Sequence, residues 1–119
     1  MNVALLRGRL SREPQARSLP SGDELVEYQV TTRRADQPAD SVPVVWFDPP
    51  VAAGRLAEGD EVVVVGRIRR RWFRAGGATQ SRTEIVADAV VAGRQAARSR
   101  AAVARALRAV AEAEAEPVT

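Results

Sequence analysis

Hydrophobic and polar positions alternate with a period of two along most of the chain up to Val91. Such alternation predicts strands, because successive side chains in a strand point to opposite faces. Val3 to Leu10 reads as a first strand, apolar and then alternating through Arg7, Gly8, Arg9 and Leu10. Ser11 to Gly22 holds Pro14, Pro20 and Gly22 and reads as loop, with a turn at Pro20-Ser21-Gly22. Glu24 to Arg34 is a second strand, with Val26, Tyr28, Val30 and Thr32 on one face. After a polar loop, Ala35 to Ser41, a third strand runs from Val42 to Phe47, and its Pro43 favours an edge or strand-start position. Asp48-Pro49-Pro50 breaks that strand and predicts a short helix from Pro50 to Ala57, ended near Gly59.

Glu61 to Phe73 is the fourth strand and the centre of the pattern. Val62 to Val65 have the composition of a sheet core, and Gly66 predicts a bulge or bend. Ala75-Gly76-Gly77-Ala78 reads as a hairpin tip, and Thr79 to Val91 returns as a fifth strand with Ile85, Val86, Val90 and Val91 in the core. The sum is an all-β fold: a five-stranded antiparallel barrel with one short helix between strands three and four. From Gly93 the period changes. Gln95 to Glu116 is Ala-rich and free of Gly and Pro, which predicts a C-terminal α-helix with a narrow apolar stripe of Val103, Leu107 and Val110. Residues 1–92 therefore form the barrel domain and 93–119 a helical extension.

Composition narrows the chemistry. The chain has 119 residues, enough for one core, with no cysteine and no histidine. Thiol nucleophiles, thiolate metal sites and the commonest general base are absent, and no carboxylate spacing suggests a site, so the chain is expected to be non-catalytic, without metal or cofactor. No apolar run approaches the ~20 residues of a membrane span. MNVALLRGRL meets Arg and Gly too early for a signal peptide, so no membrane association and a cytoplasmic location are expected. All 18 basic residues are arginine, yet net charge is only +3, so any electrostatic role needs a local patch.

The second half of the fourth strand offers that patch. Arg67, Arg69, Arg71 and Phe73 share one face, and Ile68, Arg70 and Trp72 the other. Cations beside an aromatic platform suit a single-stranded nucleic acid: charge for phosphates, a flat ring for an unpaired base. The alternative is a solvated edge with one packing anchor. Arg33 and Arg34 either join the basic surface or stand as loop-edge charges.

Three segments, in order, resemble the bacterial single-stranded DNA-binding protein family. They are Asn2-Val3 through Gly8-Arg9-Leu10 to Pro20-Ser21-Gly22; Val44-Val45-Trp46 with Leu56-Ala57-Glu58-Gly59-Asp60; and Val64-Val65-Gly66-Arg67-Ile68 to Phe73 with Thr83-Glu84-Ile85-Val86-Ala87-Asp88. The resemblance implies an OB-fold, a homo-oligomer (a tetramer or a dimer), and sequence-tolerant binding of single-stranded DNA in replication, repair or recombination. It places Trp46 and Phe73, with Trp72 as a further candidate, as base-stacking aromatics, and Arg69 and Arg71 as phosphate or stacking contacts. Arg33, Arg34 and Val42 stand where the family offers further rings, and Ser81-Arg82 where its return arm often has Tyr. The Ala/Arg helix replaces the family's Gly/Pro/Gln-rich tail. Its roles stay open: a solvated helix, a dock for a subunit or protein partner, or extra phosphate contacts. Two rival functions also stay open, a protein-interaction module built on the same barrel and an RNA-binding domain.

Overall fold

A computed structural model describes residues 1–51 and 55–115 of the chain. Among the described residues, six strands form one sheet: β1 (Ala4–Leu10), β2 (Gln15–Ser18), β3 (Glu24–Thr32), β4 (Asp40–Phe47), β5 (Glu61–Ala75) and β6 (Ala78–Ala92). One helix follows, α1 (Ala96–Glu114). The strand order is β1-β5-β6-β4-β3-β2, and a further β1–β3 pairing brings the sheet back on itself. That closure is narrow, consisting of Arg9↔Thr31 and Leu10↔Val30.

The core follows from the alternation. Val62 and Val64 of β5, Tyr28 and Val30 of β3, Val44 of β4 and Ile85 of β6 point inward and pack with Leu10 and Leu56. Strands approach tightly at two places, β5 to β6 and the β1–β3 closure, and a glycine permits each. A Cβ on Gly66 would lie 2.2 Å from the Val86 carbonyl oxygen, and one on Gly8 2.5 Å from that of Thr31. Gly66 thus serves close approach. The extra residue of the bulge lies on the opposite strand, at Asp88, between the pairs Gly66↔Ala87 and Val65↔Ala89.

β5 and β6 are 15 residues each and outrun the closed part of the sheet, so their tips project as a hairpin. Gly76 and Gly77 both have positive φ, the requirement of the two-residue turn that matches strand twist. At the hairpin base the Asn2 side chain donates to the Ile68 carbonyl at 2.6 Å and accepts from the Ile68 N–H at 2.8 Å. Asn2 so extends the β1–β5 ladder, which ends at Ala4↔Gly66.

Several expectations change. Gln15–Ser18, expected as loop, is a strand: all four residues are exposed, so no apolar pattern announces it. It is held by pairing to the β3 edge and by Arg17–Glu27 at 3.2 Å. The sheet is not wholly antiparallel, because β4 and β6 run parallel through Val44↔Ile85 and Val45↔Val86. Pro43 precedes that short ladder, where β4 has no partner on the β6 side. The expected helix at Pro50 to Ala57 centres on residues 52–54, which lie outside the described residues, and no α-helix stands between β4 and β5 among those described. The last expected helical residue, Glu116, also lies outside them.

α1 docks on its own sheet. Ser99 and Ala106 are its buried residues, and the Ser99 hydroxyl donates to the Ala92 carbonyl at 3.3 Å. Between helix and sheet, Val103 and Val63 line one cavity, and Ala102, Ala106 and Ala109 line another with Val65 and Ala89. Both buried residues are small, which lets the helix approach the sheet closely. Leu107, expected within the stripe, is 55% exposed.

Candidate nucleic-acid interface

Beyond the core, the outward face of β5 continues as Arg67, Arg69, Arg71 and Phe73. Cross-strand pairing sets Arg69 opposite Glu84, Arg71 opposite Arg82 and Phe73 opposite Gln80. Paired residues share a face, so two basic positions of β5 meet Arg82 and Glu84 of β6 there. The Arg69 guanidinium lies over the Phe47 ring, 5.5 Å from its centroid, and the Arg71 guanidinium over Phe73 at 5.2 Å. β4 thus contributes the second ring of this face.

Glu84 lies beneath these arginines, 1% exposed. Its Oε2 accepts from Arg69 Nη2 at 2.5 Å. Its Oε1 faces Arg71 Nε at 3.5 Å and Arg82 Nε at 3.9 Å and has no hydrogen-bond partner among the described residues. One buried carboxylate among three guanidinium groups leaves the cluster net positive. The surface can therefore attract an anion and present two rings beside it.

Residues 1–92 match the model of the single-strand binding protein family. The chain belongs to this family. A relative in Oceanobacillus iheyensis, described as a single-stranded DNA-binding protein, is 33% identical over 99 residues, which cover 76% of this chain and 62% of that protein. The chain thus spans about three-fifths of the length of this curated relative. A solved structure of a Plasmodium falciparum SSB in complex with ssDNA matches 77% of the chain and 94% of its own, with a TM-score of 0.66 and 21% identity. That likeness is one of fold, in keeping with the OB-fold that the family resemblance implies.

The other candidate residues of this single-strand binding family member fall in three places. Trp46 is half-buried against the core, on the opposite side of β4 from Phe47. It lines a cavity with Pro50, Leu56 and the arginines Arg55, Arg94 and Arg98. Trp72 is 64% exposed on the far side of the hairpin, with the Arg70 guanidinium over its ring at 4.9 Å. Arg33 lies by the β1–β3 closure near Arg7, Arg9 and Glu61, and Arg34 is exposed in the following loop. Arg33 is thereby grouped with β1 rather than with the hairpin.

Three members of the face were not among the site residues read from the sequence: Phe47, Arg82 and Glu84. Phe47 carried a signal: Val42, Val44 and Trp46 share the inward parity, which leaves the adjacent Phe47 outward. Glu84 carried none, because a carboxylate on a strand that ends among polar residues reads as solvated. Its burial is seen only in three dimensions, where Arg69, Arg71 and Arg82 surround it.

Proposed function

We propose that the chain binds single-stranded DNA without catalysis, through the outward face of the β5–β6 hairpin and the end of β4. In this account Phe47 and Phe73 stack bases, and Arg67, Arg69, Arg71 and Arg82 neutralise phosphates or extend the stacks. The observation that carries it is the pairing of two separate rings with two guanidinium groups on one face. Family membership and the fold's likeness to a DNA-bound SSB support it. Trp72 with Arg70 supplies a second aromatic and cationic contact on the hairpin's other face. Trp46, Arg33 and Arg34 are contacts for a strand that continues around the sheet.

The setting is single-stranded DNA exposed in replication, repair or recombination in the bacterial cytoplasm and nucleoid. The acting form is a homo-oligomer, in which several such faces line up along one strand and raise apparent affinity through effective concentration.

Alanine at Phe47 or Phe73 tests the assignment. Each stacked base contributes roughly 1–3 kcal/mol, so each variant should bind at least about fivefold more weakly across all base compositions. Unchanged affinity in both variants would remove stacking from the account. Competition between oligo-dT and oligo-U in the same assay separates DNA from RNA preference.

A further inference from the structure

Glu84 is out of place on a face read as contacting an anion. At 1% exposure it cannot reach a ligand itself, so its charge acts only through its neighbours. Those neighbours are Arg69, Arg71 and Arg82. Two of them are the arginines that stand over Phe47 and Phe73, rings carried by different strands. One carboxylate therefore ties the platform on β4 to the platform on the hairpin.

We propose that Glu84 is a positioning residue for single-strand binding, holding Arg69 over Phe47 and Arg71 over Phe73 so that each pair presents a guanidinium-on-ring stack to a base. This rests on the function proposed above. The two oxygens divide the work. Oε2 fixes Arg69 by a hydrogen bond of 2.5 Å. Oε1 holds Arg71 and Arg82 by charge alone, at 3.5 and 3.9 Å, so their N–H groups stay free to turn outward to a phosphate. The carboxylate lowers the net charge of the face by one and in return orients three arginines, a trade that favours base contacts over bare phosphate attraction.

The test compares Glu84→Gln with wild type in the full chain. It measures equilibrium affinity for fluorescent oligo-dT and for an abasic oligomer of the same length, with a thermal melt of each protein. Wild type should prefer oligo-dT. In E84Q the ratio of the two affinities should fall about tenfold, as stacking is lost, while abasic affinity holds or rises because one negative charge is gone. A double variant with Arg69→Lys should show less than the product of the two single effects, because Glu84 acts through Arg69. An unchanged ratio, with or without a lower melting temperature, overturns the proposal. If E84Q does not fold, Glu84→Asp keeps the charge and withdraws the carboxylate by one methylene. The lowered ratio is then expected with no rise in abasic affinity, and an unchanged ratio again overturns it. Failure of the underlying function shows separately, as wild-type protein that binds neither oligomer.

Discussion

Tyr28 shows how one residue can report on the whole core. It is 1% exposed at the centre of the core cluster, and its hydroxyl has no hydrogen-bond partner among the described residues. Burial pushes its phenol from 10.0 up to about 12. The unfolded chain therefore releases this proton first, so ionisation favours unfolding. Stability from this residue is present in full below about pH 10 and is lost as pH rises toward 12, by roughly 2 kcal/mol. The chain has one tyrosine, no cysteine and no lysine, so no other side chain type titrates in that window. Tyr28→Phe should flatten the stability profile between about pH 10 and 12 in urea melts. At pH 7 it should leave stability unchanged or raise it by about 1 kcal/mol, because an unpartnered buried hydroxyl is removed. A clear loss at pH 7 would mean that the hydroxyl is satisfied in solution. Tyr28's inward parity was legible in the alternation of β3; its unpartnered hydroxyl was not, because a partner is a fact of three dimensions. Asn2 makes the same point. Its side-chain clasp on Ile68 has no signature in a pattern of apolar positions, and Asn2→Ala should destabilise the chain by about 1–2 kcal/mol in the same melts.

At the scale of elements, the long strands β5 and β6 and their Gly76-Gly77 turn were legible, because a run of valines and a glycine pair each carry a strong local signal. β2 was not, since its four exposed residues are specified by the β3 edge rather than by their own pattern. α1 was legible as a helix, but its seating was not: the stripe read from large side chains included Leu107, whereas Ser99 and Ala106 are the buried residues. The helix needs that burial. No acidic residue occupies its first turn, no basic residue its last, and Gln95 makes no side-chain cap. All three leave an isolated helix marginal. Ala106→Glu, which sets a charge and extra volume against Val65, should undock α1. The expected result is a drop in helical circular dichroism and faster proteolysis at the arginines of residues 94–108, at a cost of about 2–4 kcal/mol in stability. Retained helicity with unchanged protection would show that α1 stands without its seat.

For the whole molecule, modest net charge and a concentrated face lead to a specific form of salt dependence. Net charge is only +3, yet Arg69, Arg71 and Arg82 gather around one buried carboxylate, with Arg67 on the same strand face. Phosphate contact by such a patch should give a shallow but definite slope, about 0.7 per arginine engaged on a single strand. Arg67→Ala and Arg71→Ala should each lower the slope by about that amount, whereas Phe73→Ala should lower affinity and leave the slope in place. The sequence placed Arg69, Arg71 and Phe73 together by parity alone, and the structure adds Phe47, Arg82 and Glu84 through strand pairing. The placement of the two tryptophans also bears on the choice of probe. Trp46 packs on the core away from this face and Trp72 sits on the hairpin's far side, so tryptophan fluorescence would report on contacts other than the two rings.

The central claim is best tested by anisotropy of a labelled oligo-dT titrated with the wild-type chain at low and at moderate salt, with duplex of the same length as competitor. The account predicts saturable binding that weakens with salt and is not displaced by duplex. Absence of binding at low salt, or equal displacement by duplex and single strand, would contradict it.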